Sequence, residues 1–236
     1  MPGWSERPDV VAPARSDGAV WQDLDLVRSA LGMALEGHRH DLRKGTAVPY
    51  VSHLWSVAAL VLEHGGDDVQ AAAALLHDLA EDHGGRRQLD RIRSELGPGV
   101  ADIVEWLSDS LVDTEAGEEK APWHDRKSAA LRHLVDAPAR VLLVKACDQL
   151  HNARSVLADY RRQGAALWTV FTVSDPALQL WLHRSMLAML RPQVPVSLGD
   201  EIARTVDALA VEIRREEPDI DARVAAVRLA PDPADT

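Results

Sequence analysis

The sequence predicts an all-α domain. Alanine and leucine, both good helix formers, dominate the text. Strand-like alternation is scarce, and the chain holds only 1 Phe and 2 Tyr. Apolar stretches are bounded as helices are, with Asp, Ser or Pro ahead of them and Gly behind. With 236 residues the chain is long enough for one domain with a sizeable core.

The elements follow from these start and stop signals. Residues 1 to 20 mix Pro, Gly, Ser and charge and read as a loose lead-in. A helix is expected from Leu24 to His38, ahead of a charged loop ending at Gly45. The next begins near Pro49 and stops at Gly65-Gly66. Asp67 or Asp68 caps a third, which runs through Glu81 to Gly84-Gly85. Shorter helices cover Gln88 to Leu96 and Pro98 to Ser108, and the polar stretch Asp109 to Pro122 reads as a loop. Helices from Trp123 to Val135 and from Pro138 to Arg162 come next, the second ended by Gly164. Ser174-Asp175-Pro176 starts another, with an N-cap before a first-turn proline. A last helix covers Leu198 to Arg215, and residues 229 to 236 read as a frayed tail. The expected division is a lead-in (1–20), a main domain (21–192) and a C-terminal helix with its tail (193–236).

Composition narrows the function. The net charge of -11 opposes general binding to nucleic acid or an acidic membrane, so neither is an expected partner. The lone Cys147 excludes a disulfide framework and a cysteine-based zinc site within one chain. The start shows no basic segment followed by an apolar run, and no stretch approaches the ~20 apolar residues of a membrane span. The expectation is a soluble cytoplasmic protein.

Three places carry chemistry. Residues 71 to 76 are apolar on all sides, and then His77, Asp78, Glu81 and Asp82 arrive within six positions. Residues three and four apart share a helix face, so these groups crowd one side. An exposed, solvated helix end would account for them, and so would a bound cation that removes the cost of burying them. Asp148 interrupts a second apolar helix, with Asn152 one turn on. Pairing with a buried Lys or Arg is the plain alternative there. His53 sits on a third apolar helix start, where a satisfied core histidine is the ordinary explanation. Taken jointly, His53, His77, Asp78 and Asp148 supply two imidazole nitrogens and two carboxylate oxygens. That set suits Mn²⁺, Fe²⁺, Mg²⁺ or Zn²⁺ inside a helical bundle.

His53, His77-Asp78 and Asp148 reproduce the H…HD…D pattern of the HD-domain phosphohydrolases. Arg43-Lys44-Gly45, Pro49 to His53, His77 to Asp82 and Asp148 to Arg154 together resemble the hydrolase domain of RelA/SpoT-type enzymes, over roughly residues 25 to 190. The resemblance implies an HD-domain helical bundle with a metal site in its core, Mn²⁺ as the usual ion, and removal of the 3′-diphosphate from ppGpp and pppGpp. It assigns His53, His77, Asp78 and Asp148 to the metal, Glu81 and Asp82 to catalysis, and Arg43, Lys44 and Asn152 to the nucleotide. Full-length members carry further domains after the hydrolase, whereas about 45 residues follow Pro192 here, so the expectation is a stand-alone small alarmone hydrolase. The chain departs from the family pattern at His83, Leu54 and Cys147-Asp148-Gln149. These changes spare the ligands and bear on substrate identity.

The expected reaction is attack of activated water on the phosphorus bound to the ribose 3′ oxygen, giving pyrophosphate and GDP or GTP. Two other readings stand beside it: an HD phosphohydrolase for another nucleotide (an adenosine 3′-diphosphate, a nucleoside monophosphate or NADPH), and a nucleotide sensor without turnover. Lys120, Arg126 and Lys127 either reach phosphates or form a plain charged surface. Tyr50 packs beside the site or belongs to the core. His38, His40, His83 and His151 read as non-ligands, and Cys147 as a small buried hydrophobe. Trp55, Trp106, Trp123, Trp168 and Trp181 read as core or subunit contacts. Residues 166–171 are apolar enough to pack over the domain or against a second copy of the chain, which leaves homo-oligomerisation open.

Overall fold

The computed structural model describes residues 23–231. The expected lead-in and the last five residues of the expected tail lie outside the described residues. The elements in order are α1 (Leu24–Gly37), α2 (Val51–Glu63), α3 (Asp68–Leu76), α4 (Leu79–Asp82), α5 (Gly85–Leu96) and α6 (Pro98–Leu107). A loop with a 3₁₀ turn at Thr114–Ala116 leads to α7 (Trp123–Leu134) and α8 (Ala139–Gln163). A 3₁₀ segment (Gly164–Val170), α9 (Pro176–Leu190), α10 (Val196–Glu216) and α11 (Ile220–Ala226) complete the chain. No strand occurs among the described residues; Leu42 and Pro49 form an isolated antiparallel bridge.

The bundle is built around α3. Ala71 to Ala74 and Leu76 are at most 1% exposed, as expected of a helix apolar on all sides. Their small side chains let α1, α2, α6 and α8 pack around it, while α10 lies along α8 and α9. The start of α3 is fixed on three sides. Asp67 Oδ1 accepts from the Gln70 amide at 2.8 Å, and Gln70 Oε1 accepts from the Asp67 amide at 3.1 Å. Gln70 Nε2 also donates to the Arg140 carbonyl at 2.9 Å, and the Asp23 amide donates to Asp68 Oδ2 at 2.5 Å. These bonds tie α1, α3 and α8 together at one end.

Several expectations are corrected. The third helix does not run through to Gly84: it stops at Leu76, residues 77 and 78 form a turn, and α4 restarts at Leu79. The reason lies in His77, whose Nδ1 lies 2.8 Å from the Ala74 carbonyl and takes up the acceptor at the helix end. The tail is not frayed at Ala230. Its amide donates to the buried Ser128 Oγ at 3.0 Å, and its carbonyl accepts from Arg132 at 2.8 Å. Of the two readings for Trp55, core or subunit contact, the first does not hold: it is 50% exposed on the outer face of α2. α11 was not expected, since its seven residues follow a charged run. Segment 166–171 packs over the domain through Leu167 and Trp168, with the Trp168 ring 5.3 Å from Tyr160 on α8.

Gly85 sits at φ +54°, and a Cβ there would lie 2.4 Å from the Leu111 carbonyl oxygen. The 109–122 loop therefore reaches the end of α4 only because residue 85 lacks a side chain. Gly85→Ala is expected to cost roughly 2–4 kcal/mol from backbone strain and overpacking; an unchanged urea midpoint would contradict this.

His183 is buried on α9, with Nδ1 2.8 Å from Gln149 Nε2, and burial pushes its pKa down to about 4. The unfolded chain takes up this proton near pH 6.5 and the folded chain only near 4. Its contribution is full above about pH 6.5 and declines by roughly 3 kcal/mol as pH falls to 4. His183→Gln should flatten the slope of stability against pH in that window, and an unaltered slope would contradict the assignment.

Candidate metal centre

Two imidazoles from different helices meet two carboxylates beneath a cavity. His53 lies in the first turn of α2, His77 and Asp78 in the turn between α3 and α4, and Asp148 in the middle of α8. His77 and Asp78 both keep right-handed helical backbone angles across the turn between α3 and α4, and Nε2 of the one lies 3.1 Å from Oδ2 of the other.

Both rings are held from behind. His77 Nδ1 is directed at the Ala74 carbonyl, and His53 Nδ1 lies 2.8 Å from His151 Nδ1. Each ring therefore presents Nε2. His53 Nε2 lies 3.5 Å from Asp78 Oδ2 and 3.4 Å from Asp148 Oδ1. His77 Nε2 lies 3.1 and 3.6 Å from the same two oxygens. The pairs attract as charges but are misaligned for bonding by His77, whose buried Nε2 has no hydrogen-bond partner. Bonds of ~2.1 Å to one divalent ion put neighbouring ligand atoms ~3.0–3.4 Å apart. His53, His77 and Asp148 offer ligand atoms mutually within 4.8 Å; Asp78 falls outside that mutually close set, with its Oδ2 3.5 and 3.1 Å from Nε2 of His53 and His77. This donor set fits such an ion.

The electrostatics point the same way. His77 is held well above the ordinary imidazole range: burial opposes its charge, but Asp78 and Asp148 outweigh burial. Asp78 and Asp148 are held well below the carboxylate range. Burial opposes this too, and is outweighed by His77 for Asp78 and by Lys145 for Asp148. Positive charge is thus strongly favoured between them. Lys145 Nζ binds Asp148 Oδ2 at 2.9 Å, Asn152 Nδ2 donates to Asp148 Oδ1 at 2.6 Å, and the Tyr50 hydroxyl donates to Asp78 Oδ2 at 2.5 Å.

Above these groups opens a cavity of about 330 Å³. All the expected catalytic and nucleotide residues line it: Glu81, Asp82, Arg43, Lys44 and Asn152. Arg43 donates to Asn152 Oδ1 at 3.2 Å and lies 5.7 Å above the Tyr50 ring; Lys44 lies 5.9 Å above Phe171. Glu81 is pushed up to about 7 by burial and by the charge of Asp109, and Asp82 to about 6 by burial and by Asp78. Trp106 and Trp123 pack against the core and also line the cavity, with the Trp106 and His133 rings stacked at 4.0 Å.

Sequence reasoning missed the roles of Asp109 and His151, while the pairing of Asp148 with a buried cation, held open there, is met by Lys145. Asp109 is 2.5 Å from both Arg126 Nη1 and Lys127 Nζ, and these cations hold its carboxylate against burial. Arg126 and Lys127 are therefore paired inside the wall, and Lys120 is 3.4 Å from Glu81. Only the spacing of Lys145 from Asp148, one turn apart on an apolar helix, gave a readable signal. Cys147 is fully buried, and burial followed by the Asp148 charge raises its thiol to about 12.

Lys145→Met removes the partner of a buried carboxylate. With a chelator present, the variant is expected to lose about 3–5 kcal/mol of stability. Divalent ion should return part of that loss, read as a larger rise in melting temperature than for the unaltered protein; no difference would contradict the pairing.

The family model described as HD domain matches residues 30–173. A putative chloroplastic GTP diphosphokinase of Oryza sativa subsp. japonica is 31% identical over 69% of this chain and 19% of its own length. A probable GTP pyrophosphokinase of Mycobacterium leprae (strain TN) is 32% identical over 57% of this chain and 16% of its own length. The chain thus spans under a fifth of the length of these relatives. A solved structure, described as a metazoan ortholog of SpoT that hydrolyzes ppGpp, superposes with TM-score 0.57 at 22% identity, covering 81% of this chain and 95% of that one. A second, from Listeria monocytogenes EGD-e, gives 0.53 at 24% identity over 65% of this chain and 96% of that one. With its pattern of histidines and aspartates gathered in one helical core and most of its length matched, the chain belongs to the HD-domain family.

Proposed function

We propose that the protein is a metal-dependent pyrophosphohydrolase that removes the 3′-diphosphate from ppGpp and pppGpp, giving GDP or GTP and pyrophosphate. One observation carries the reading: the imidazole and carboxylate cluster lies under a cavity whose wall holds Glu81 and Asp82 together with Arg43, Lys44 and Asn152. The metazoan SpoT ortholog of the same fold, described as hydrolysing ppGpp, supports the substrate class. His53, His77, Asp78 and Asp148 hold the ion, with Mn²⁺ the assignment. Residues 21–192 form the hydrolase unit and 193–236 its C-terminal helix and tail. Among the described residues no helix is long and apolar enough to cross a membrane, and a cytoplasmic location is part of the proposal.

When bound, the ion stabilises charge on phosphoryl oxygens and lowers the pKa of water. The chain's own groups do the rest. Water attacks the phosphorus attached to the ribose 3′ oxygen, the bond between them breaks, and the 3′ oxygen leaves with a proton. Glu81, with a pKa near 7, holds or releases a proton at working pH, which suits exchange with water or the leaving oxygen. Asp82, near 6, orients water. Arg43 is positioned to cover a purine face while Asn152, already bonded to it, addresses the ribose.

Metal-loaded protein incubated with ppGpp, pppGpp, ppApp, NADPH and nucleoside monophosphates should release pyrophosphate from the guanosine compounds. Phosphate from a monophosphate would replace this reading. Glu81→Gln should retain the ion, measured by metal analysis, while turnover falls by about 10²-fold or more; near-normal rates would remove Glu81 from the mechanism.

A further inference from the structure

A second group of ligand-type side chains lies outside the cavity wall, and the proposed reaction does not use it. His38 Nδ1 and His83 Nε2 lie 2.8 and 2.6 Å from one oxygen, Asp41 Oδ2. The three residues offer ligand atoms mutually within 4.8 Å. His38 is 3% exposed, and its other nitrogen has no partner, so the polar capacity of this buried ring is directed wholly at Asp41. Behind His83, Glu115 Oε1 lies 3.1 Å from Nδ1.

This differs from a surface ion pair in three ways. One imidazole is fully enclosed, where a solvated pair would leave both in water. Two rings converge on a single carboxylate oxygen. The second ring is backed by its own carboxylate, the arrangement that orients and strengthens a metal-ligating histidine. The group also joins three separate segments: the stretch after α1, the residue after α4, and the 109–122 loop. Asp41 and His83 keep side-chain exposures of 32% and 28%, which leaves one side open.

We propose that His38, Asp41 and His83 form a second divalent-cation site, of the Zn²⁺ class, with Glu115 orienting His83 and the open side left to water. Two imidazoles and a carboxylate without thiolate suit Zn²⁺, Co²⁺ or Ni²⁺. Bonds of ~2.0–2.1 Å need the nitrogen–oxygen separations to widen by about half an ångström, which the two partly exposed side chains can supply. The ion would clamp the loop bearing Arg43 and Lys44 to the end of α4, which bears Glu81 and Asp82. The site stands independently of the proposed reaction.

The test loads chelator-stripped full-length protein with Co²⁺ and counts bound ions by metal analysis, with the visible absorption of Co²⁺ as a second readout. The unaltered protein should hold about two ions per chain. Asp41→Asn and His83→Gln should each hold about one, and His77→Ala should hold the other one. Two ions retained in both Asp41→Asn and His83→Gln would overturn the site, as would a single ion in the unaltered protein that these variants keep. A single ion lost in Asp41→Asn but kept in His77→Ala would support this site and remove the first. Helical circular dichroism checks folding, and His83→Gln carries the test if Asp41→Asn does not fold.

Discussion

The structure turns on one constraint: two carboxylates and two imidazoles share a buried space in which positive charge is favoured. Asp148 and Asp78 each have one oxygen turned toward His53 and His77. Leaving such carboxylates buried without a cation costs several kcal/mol each. The surroundings are arranged around that cost. Lys145 takes the far oxygen of Asp148, and Tyr50 donates to Asp78. Tyr50 and Asn152 bond the same oxygens that face the rings, Asp78 Oδ2 and Asp148 Oδ1, and hold them at separations that fit a divalent ion.

The backbone serves the same end. α3 stops after Leu76, and His77 stabilises that break by bonding the helix-end carbonyl. The restarted turn then sets Glu81 and Asp82 on the cavity side. Gly85 allows the following loop to close against it, bringing in Asp109, which raises the proton affinity of Glu81 after burial has already done so. One acidic residue is thereby tuned by a segment that looks featureless in the text. The same loop supplies Glu115 behind His83.

Much of this was legible in the residues. Helix ends at Asp67, Pro98, Asp175 and Gly164 follow from capping and from backbone freedom, both local properties. The four expected ligands were readable because each interrupts an apolar helix, and a polar group there requires a reason. Lys120, Arg126 and Lys127 were ambiguous, because the text does not state that Asp109 stands between two of them. Helical periodicity gives Trp106 as a core or subunit contact and does not distinguish a residue that also lines a cavity.

Sequence alone determined the helical class, the main helix boundaries and the identity of the groups gathered at the centre, since propensity, caps and isolated polar residues are local signals. Tertiary structure decided which nitrogen each histidine presents, where the third helix breaks, and which charges neutralise each other across the loop. His151 reaches His53, and His38 reaches His83 through Asp41, only because helices distant in sequence pack side by side. Spacing along one chain records residues that share a helix face, and it carries no record of residues that meet across a core.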